Sequence, residues 1–306
     1  MAQSDSQVPW TDEQWAKVER TIQEEAQRAR VAANFLPLVG PLAGNADYVS
    51  DDGLSYVDLP PWAGQPQKIS INDTKTIPLA TLQVRVYVRG AQMADPELES
   101  ALQMFRRAAN VLGRLEDAAI FNGLVIADDG STQVRRGVNF QPIYQILGGQ
   151  KCRGLMPESD EEGKRINVGG DNDGNKLVGA VSDAIGQLEA TGQFGPFAVV
   201  LDQKFFKAAQ TPNDNSLVLP QDRIIPFLGG GPLVRSSTLT TLKEDDPFKA
   251  RGLVVALGGS PVELVVATDV SLNFLQVAPD PAFVFRVYEK MVLRIKQPEA
   301  IIGLIP

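Results

Sequence analysis

The chain has 306 residues, of which 43% are hydrophobic and 22% charged, enough for one large domain or two to three smaller ones and too apolar for general disorder. Its 29 Lys and Arg stand against 37 Asp and Glu, a net charge of −8, which argues against wrapping nucleic acid with clustered cations. There is no histidine and a single cysteine, Cys152. These absences exclude Ser-His-Asp and Cys-His catalysis, histidine metal sites and an intrachain disulfide.

Thr11 and Gln14 stand at capping-box spacing, with Asp12 and Glu13 in a first turn where the helix dipole favours acids. Trp15, Val18, Ile22, Ala26, Ala29 and Ala33 then recur at helical spacing, with Lys17, Arg20, Gln23, Glu24 and Gln27 on the other side. The pattern predicts an amphipathic helix of about 22 residues, about 33 Å long. Such a helix either packs on its own domain or lines the inner surface of an assembly. Residues 35–80 are broken by Pro37, Pro41, Pro60, Pro61 and Pro66 and by Gly40, Gly44, Gly53 and Gly64, with short β-prone pieces at Tyr48-Val49, Leu54–Leu59 and Lys68–Ile71. This segment has too little apolar mass for a core of its own. A long β-arm that pairs with a neighbouring chain would satisfy its backbone.

Residues 81–88 (TLQVRVYV) alternate as a strand. Asp95 then reads as a cap and Pro96 as the first residue of a helix running to about Phe121, ended by Asn122-Gly123. Two adjacent apolar stripes, one through Leu102, Phe105 and Leu112 and one through Met104, Val111 and Leu115, predict cover on more than one side. Residues 124–175 read as irregular. A helix over Lys176–Ala190, a strand at Phe197–Leu201, a short helix capped by Asp202, a polar loop at 210–216 and a short helix from Pro220 to Leu228 follow. Further strands are expected at Pro232–Arg235, 252–257, 262–268 and 282–297, the last with Phe283, Phe285, Val287, Met291, Leu293 and Ile295 on one face. Strands both before the long helix and at the far end predict an α+β fold built from sequence-distant pieces, with residues about 130–245 inserted as a second domain.

No stretch carries catalytic chemistry. Asp171, Asp173 and Asn175 resemble a calcium loop, but Gly174 stands at the fourth position and Ser182 at the twelfth, so a solvated turn ahead of a helix is expected. Gly229-Gly230-Gly231 precedes a strand, unlike a phosphate-binding loop. Cys152 lacks a histidine partner, and Asp51-Asp52 and Asp128-Asp129 fall in loops. No catalytic residue and no metal site are expected, and the chain is read as a non-enzyme. The opening MAQSDSQVPW is no secretory signal and no apolar run reaches the length of a membrane span, so a cytoplasmic location away from membranes is expected.

Six strings in order resemble the encapsulin shell proteins, also called linocin-like bacteriocins, of the classical family-one type. They are Trp10-Thr11-Asp12-Glu13-Gln14-Trp15; Phe35–Pro41 (FLPLVGP); Leu115-Glu116-Asp117 with Ile120-Phe121-Asn122-Gly123; Gly192–Leu201 (GQFGPFAVVL); Asp269-Val270-Ser271-Leu272; and Pro298-Glu299-Ala300. The resemblance implies the Hong Kong 97-type fold of tailed-phage major capsid proteins. Residues 1–43 would hold the N-terminal helix, 44–80 the extended loop, 81–139 the peripheral domain with its spine helix, about 140–245 the axial domain, and 246–306 the peripheral sheet. The stretch 124–175 is longer than the family pattern, so an added surface loop is expected.

The implied function is a homo-oligomeric icosahedral nanocompartment around a cargo enzyme, a peroxidase or a ferritin-like iron-storage protein in relatives. A C-terminal targeting peptide of the cargo would dock on Ala26, Ala29, Ala33 and the turn holding Asp269, Val270 and Leu272. Asn213, Asp214 and Asn215 would line a pore. Some relatives hold flavin through a tryptophan on the strand after the extended loop. Residues 83–93 (QVRVYVRGAQM) contain none, so no cofactor is expected. A phage or prophage major capsid protein is the second reading and an enzyme of unknown class the third.

Overall fold

The computed structural model describes residues 8–57, 68–72, 74–157, 162–170, 173–212, 218–239, 251–279 and 282–306. Helix α1 (Asp12–Ala29) leads through β1 (Leu38–Val39) to β2 (Tyr48–Ser50), β3 (Gly53–Val57), β4 (Lys68–Asn72) and β5 (Thr76–Pro78). Then come β6 (Ala80–Arg89), α2 (Gly90–Met93), the long α3 (Glu99–Asn122), β7 (Leu124–Ile126), β8 (Thr132–Val134), β9 (Tyr144–Gly148) and β10 (Arg165–Asn167). The remainder holds α4 (Gly174–Ala190), β11 (Phe197–Leu201), α5 (Gln203–Gln210), α6 (Pro220–Ile224), β12 (Leu233–Arg235), β13 (Gly252–Ala256), β14 (Val262–Ala278), β15 (Ala282–Ile295) and β16 (Ile301–Ile305).

Two five-stranded sheets result, ordered β1-β14-β15-β6-β9 and β10-β16-β13-β11-β12. Two main cores form: the first also takes Val200, Leu253, Val255 and Ile301 from one face of the second sheet, and the other face of that sheet builds the second core. Helices α1 and α3 cover the first, where Phe285 stacks on Trp10 at 4.9 Å and meets Trp15, Phe105 and Phe274 edge-on at 6.0, 5.5 and 5.5 Å. Helix α4 covers the second with Leu177, Val181 and Leu188, joined by Phe205 of α5 and Ile224 of α6. Strand β9 lies past residue 139 yet completes the first sheet. Strands β13 and β16 lie past residue 245 yet belong to the second. Sheet membership therefore crosses both expected boundaries. The runs GLVVA and IIGLI are buried almost throughout, so neither shows an alternation that assigns it to a sheet.

The capping box forms: Thr11 accepts from Gln14 N at 3.2 Å and Gln14 accepts from Thr11 N at 3.0 Å. Helix α1 nevertheless ends at Ala29, short of Ala33, because the next amides find another acceptor. Val31 N and Ala32 N donate to the Asp117 carboxylate at 3.0 and 2.8 Å. Asp95 caps later than its spacing suggests. Its carboxylate accepts from Glu97 N and Glu99 N, and buried Leu98, at φ 55°, turns the chain into α3 at Glu99. Gly123 ends α3 at φ 75°, where a Cβ would lie 2.4 Å from the Cys152 carbonyl oxygen, so the helix end is packed backbone to backbone. Asp173 caps α4, accepting from Asn175 N and Lys176 N at 3.0 and 3.2 Å, as a turn ahead of a helix should.

The strand expected at 262–268 runs on to Ala278. Register shifts fall between Val266 and Thr268 and between Thr268 and Ser271, so Asp269–Leu272 is a stretch of β14 that starts on a bulge at Asp269-Val270 and pairs again from Ser271, rather than a turn. The stretch 124–175, read as irregular, contains the β7–β8 hairpin and adds β9 and β10 to the sheets. The extended segment forms two short ladders, β2–β5 and β3–β4, and Ile69 and Ile71 of β4 are exposed; its residues 58–67 and 73 lie outside the described ones. An ionic knot fixes its root: Arg294 pairs with Glu263 and Asp52, both at 2.6 Å, and Lys290 pairs with Asp47 at 2.5 Å. Among the described residues, no helix is long and apolar enough to cross a membrane.

Phe285 is fully buried at the centre of the aromatic cluster. Phe285→Ala should cost about 3–5 kcal/mol of stability, checked by the shift in chemical-denaturation midpoint at constant slope.

Candidate functional site

Helix α1 lies between α3 and the bulged part of β14. Trp15, Val18, Ile22 and Ala26 are its buried face. Ala26 and Ala29, expected to leave room for a ligand, are instead spent on helix contact. A Cβ built on Gly113 of α3 would sit 3.0 Å from Ala29 Cβ and 3.2 Å from the Ala26 carbonyl oxygen. The small residues on both helices thus let the two backbones approach.

Two clefts open along the other side of α1. One, of about 350 Å³, is lined by Glu19, Ile22 and Gln23 of α1 with Val270, Leu272 and Tyr288 of the sheet. The other, of about 220 Å³, is lined by Arg30, Ala33, Leu38, Val266, Asp269 and Glu289, among others. The consecutive residues Asp269 and Val270 line different clefts, so the clefts meet at the bulge. The structure therefore brings Ala33 and Asp269 to one cleft, Val270 and Leu272 to the next, and Ala26 and Ala29 to neither. Asn213, Asp214 and Asn215 lie outside the described residues.

The floor of the second cleft is ionic. Arg30, the C-cap of α1, is 8% exposed and donates through Nη2 to Asp269 Oδ1 at 2.9 Å and Glu289 Oε1 at 2.8 Å. Its Nε lies 2.5 Å from Glu116 Oε2, a close ion pair not aligned as a hydrogen bond. Asp269 Oδ1 also accepts from Val270 N at 2.7 Å, which ties the guanidinium to the bulge. Glu116, Asp117 and Glu289 are buried at 0, 1 and 1% exposure. Burial pushes the Asp117 carboxyl up to about 7, against the downward pull of the Ala32 and Val31 amides. Burial likewise pushes Glu289 up to about 7, with Arg30 opposing it, and raises Glu116 well above the usual carboxylate range, the Glu289 charge adding to the effect.

Sequence reasoning missed Arg30, Glu116 and Glu289 as parts of this site. A signal existed. Glu289 falls on the same face of β15 as Phe285, Val287 and Met291, an acid in an otherwise apolar row. Glu116 and Asp117 interrupt the buried stripes of α3 in the same way. The Ala29–Gly113 contact makes its own prediction. Gly113→Leu should force α1 from α3 and cost about 1–3 kcal/mol, and Ala29→Trp should destabilise similarly rather than fill a cleft; denaturation curves of both check this.

A family model described as an encapsulating protein for peroxidase matches residues 2–132 and 142–292. The chain is 26% identical over 303 residues to the type 1 encapsulin shell protein EncA of Myxococcus xanthus, covering 97% of this chain and 93% of that one. It is 25% identical over 308 residues to a diheme-cytochrome-encapsulin shell fusion protein of Kuenenia stuttgartiensis, covering 99% and 76%. Its fold is that of a virus-like particle from Pyrococcus furiosus, with TM-score 0.63, 18% identity and 96% and 100% of the two chains covered. The capsid of the Myoviridae phage XM1 follows with TM-score 0.57, 14% identity and 88% and 90% covered, which makes the fold that of Hong Kong 97-type capsids. Matched over nearly its whole length, the chain belongs to the encapsulin shell proteins, the family of encapsulating proteins for peroxidase.

Proposed function

We propose that the chain assembles with copies of itself into a closed icosahedral shell in the cytoplasm, acting as a container rather than a catalyst. A cargo enzyme is held inside by a short C-terminal peptide docked in the clefts beside α1. The family match over residues 2–132 and 142–292 carries the shell reading. The clefts support the docking reading. Leu272 is a half-buried apolar wall beside Ile22, and Asp269 offers an exposed carboxylate at the bulge. A few such anchors, each contributing roughly 1–2 kcal/mol, bind one peptide weakly. An oligomeric cargo facing many copies of the site is retained through avidity.

The family's description as encapsulating proteins for peroxidase favours a peroxidase as the cargo, with a ferritin-like protein as the alternative. Asp214, with Asn213 and Asn215, is proposed to ring a pore that favours cations.

Purified alone, the chain should form empty closed particles by electron microscopy. A scattering radius of gyration near the roughly 19 Å of one compact chain of this length would overturn the shell reading. Deleting residues 44–80 should abolish particles. Leu272→Glu should leave particles intact while lowering co-purifying cargo about tenfold, the equivalent of one lost anchor, measured by mass spectrometry of shells from the native host. Undiminished cargo would place docking elsewhere.

A further inference from the structure

The cluster at the end of α1 draws groups from four elements. Arg30 comes from α1, Glu116 and Asp117 from α3, Asp269 from β14 and Glu289 from β15. Strand β1, which lines the same cleft, brings only Leu38 and Val39. Other nearby charges are turned away or stand behind. Lys290 pairs with Asp47, Arg28 is exposed and pairs with Glu25, and Arg114 acts on Asp117 from along α3.

One guanidinium therefore faces four carboxyl groups, three of them almost wholly buried. Arg30 reaches a single oxygen of Glu289, leaving Glu289 Oε2 without a donor, and neither Glu116 oxygen receives an aligned hydrogen bond. The Glu116 and Glu289 carboxyls crowd one guanidinium, Oε2 of the first 2.5 Å from Nε and Oε1 of the second 2.8 Å from Nη2. Two carboxylates held this close in a site closed to water repel strongly, and a proton held between them removes one charge and supplies the missing donor.

We propose that Glu116 and Glu289 share one proton beneath Arg30, and that loss of this proton releases the end of α1 from α3 and the sheet, making α1 a proton-gated flap over the two clefts. The step is an ionisation. The proton leaves the carboxyl pair for water, and one guanidinium is left among carboxylates it cannot neutralise. With the proton in place, the pair carries one negative charge and Arg30 cancels it. Asp117 keeps its amide donors and Asp269 reaches solvent. Without the proton, a net negative charge stays buried at the joint of α1, α3 and β15. All the groups lie in one chain, so the flap stands or falls independently of shell assembly and of peptide docking.

The direction follows from proton counting. Glu289 sits near 7 when α1 is docked and near 4.5 when solvated, so the docked state holds more protons between those values. Docking is fully supported below the lower value, weakens as pH rises through about 7, and goes on weakening above it for as long as Glu116 keeps its proton. Each proton involved changes the docking equilibrium by up to about tenfold per pH unit across that window. Glu116 and Asp117 are raised in the same direction.

Hydrogen exchange of the full-length protein, corrected for intrinsic rates, tests this between pH 5 and 8. Protection of residues 22–32 should fall at least about tenfold across the window while that of α4 in the second core stays constant. Glu289→Gln, which removes the charge and keeps a hydrogen-bonding amide, should flatten the profile. A flat wild-type profile, an equal loss in α4, or an unchanged slope in Glu289→Gln overturns the flap. Should Glu289→Gln fail to fold, infrared spectroscopy of the wild type replaces it. A protonated-carboxyl band that is present at pH 6, falls as pH rises and persists in Asp117→Asn supports the shared proton, and its absence from Asp117→Asn at pH 6 overturns it.

Discussion

A buried cation needs partners, and Arg30 finds them on three other elements. Among the described residues, it is the one through which α1, α3, β14 and β15 meet in a single ionic cluster. Helix α1 stops where Arg30 turns inward, and the freed amides of Val31 and Ala32 settle on Asp117, the neighbour of Glu116. Helix termination, helix placement and the floor of the second cleft are thus one event. Such a cluster adds little net stability compared with an apolar core, because each charge gives up its water. What it supplies is position: the guanidinium satisfies Asp269 only where β14 bulges, which fixes the bulge against the end of the helix.

The sequence-level pattern was a good guide wherever local chemistry decides. The capping box of α1, the Asp202 cap of α5, the glycine end of α3 and the apolar face of β15 all follow from spacing and side-chain type. It was a poor guide where distant groups decide. The early end of α1 depends on a carboxylate 85 residues away. The length of β14 was hidden by Thr268, Asp269 and Ser271, which break alternation at the irregular stretch and mimic a turn. The same limit applied to the site. Alanines at 26 and 29 are small for one of two reasons, to make room for a ligand or for a helix, and only Gly113 across the seam tells which. Leu272, apolar and half-exposed, lines the first cleft.

The division into two cores shows a related effect. Strands β13 and β16 each lie beside segments of the first sheet in sequence and inside the second in space. Buried on both faces, they carry no periodic mark of their neighbours, so only pairing assigns them. Because the chain passes between sheets several times, neither core can loosen without pulling on strands of the other.

Strand β15 completes the logic, because its two faces hold two different appendages. Odd-numbered residues point to the core: Phe285, Val287, Met291 and Leu293, with Glu289 among them binding Arg30 at the end of α1. Even-numbered residues point the other way, where Lys290 and Arg294 bind Asp47 and Asp52 at the root of the extended segment. Charge is placed with opposite sign on the two faces, an acid toward the helix and bases toward the loop. Neither appendage can exchange sites with the other, since a one-residue slip of β15 would bring like charges together and turn Arg286 and Arg294 onto the core face. The register of this strand therefore sets both the direction in which the extended segment leaves the subunit and the seat of the helix beside the clefts.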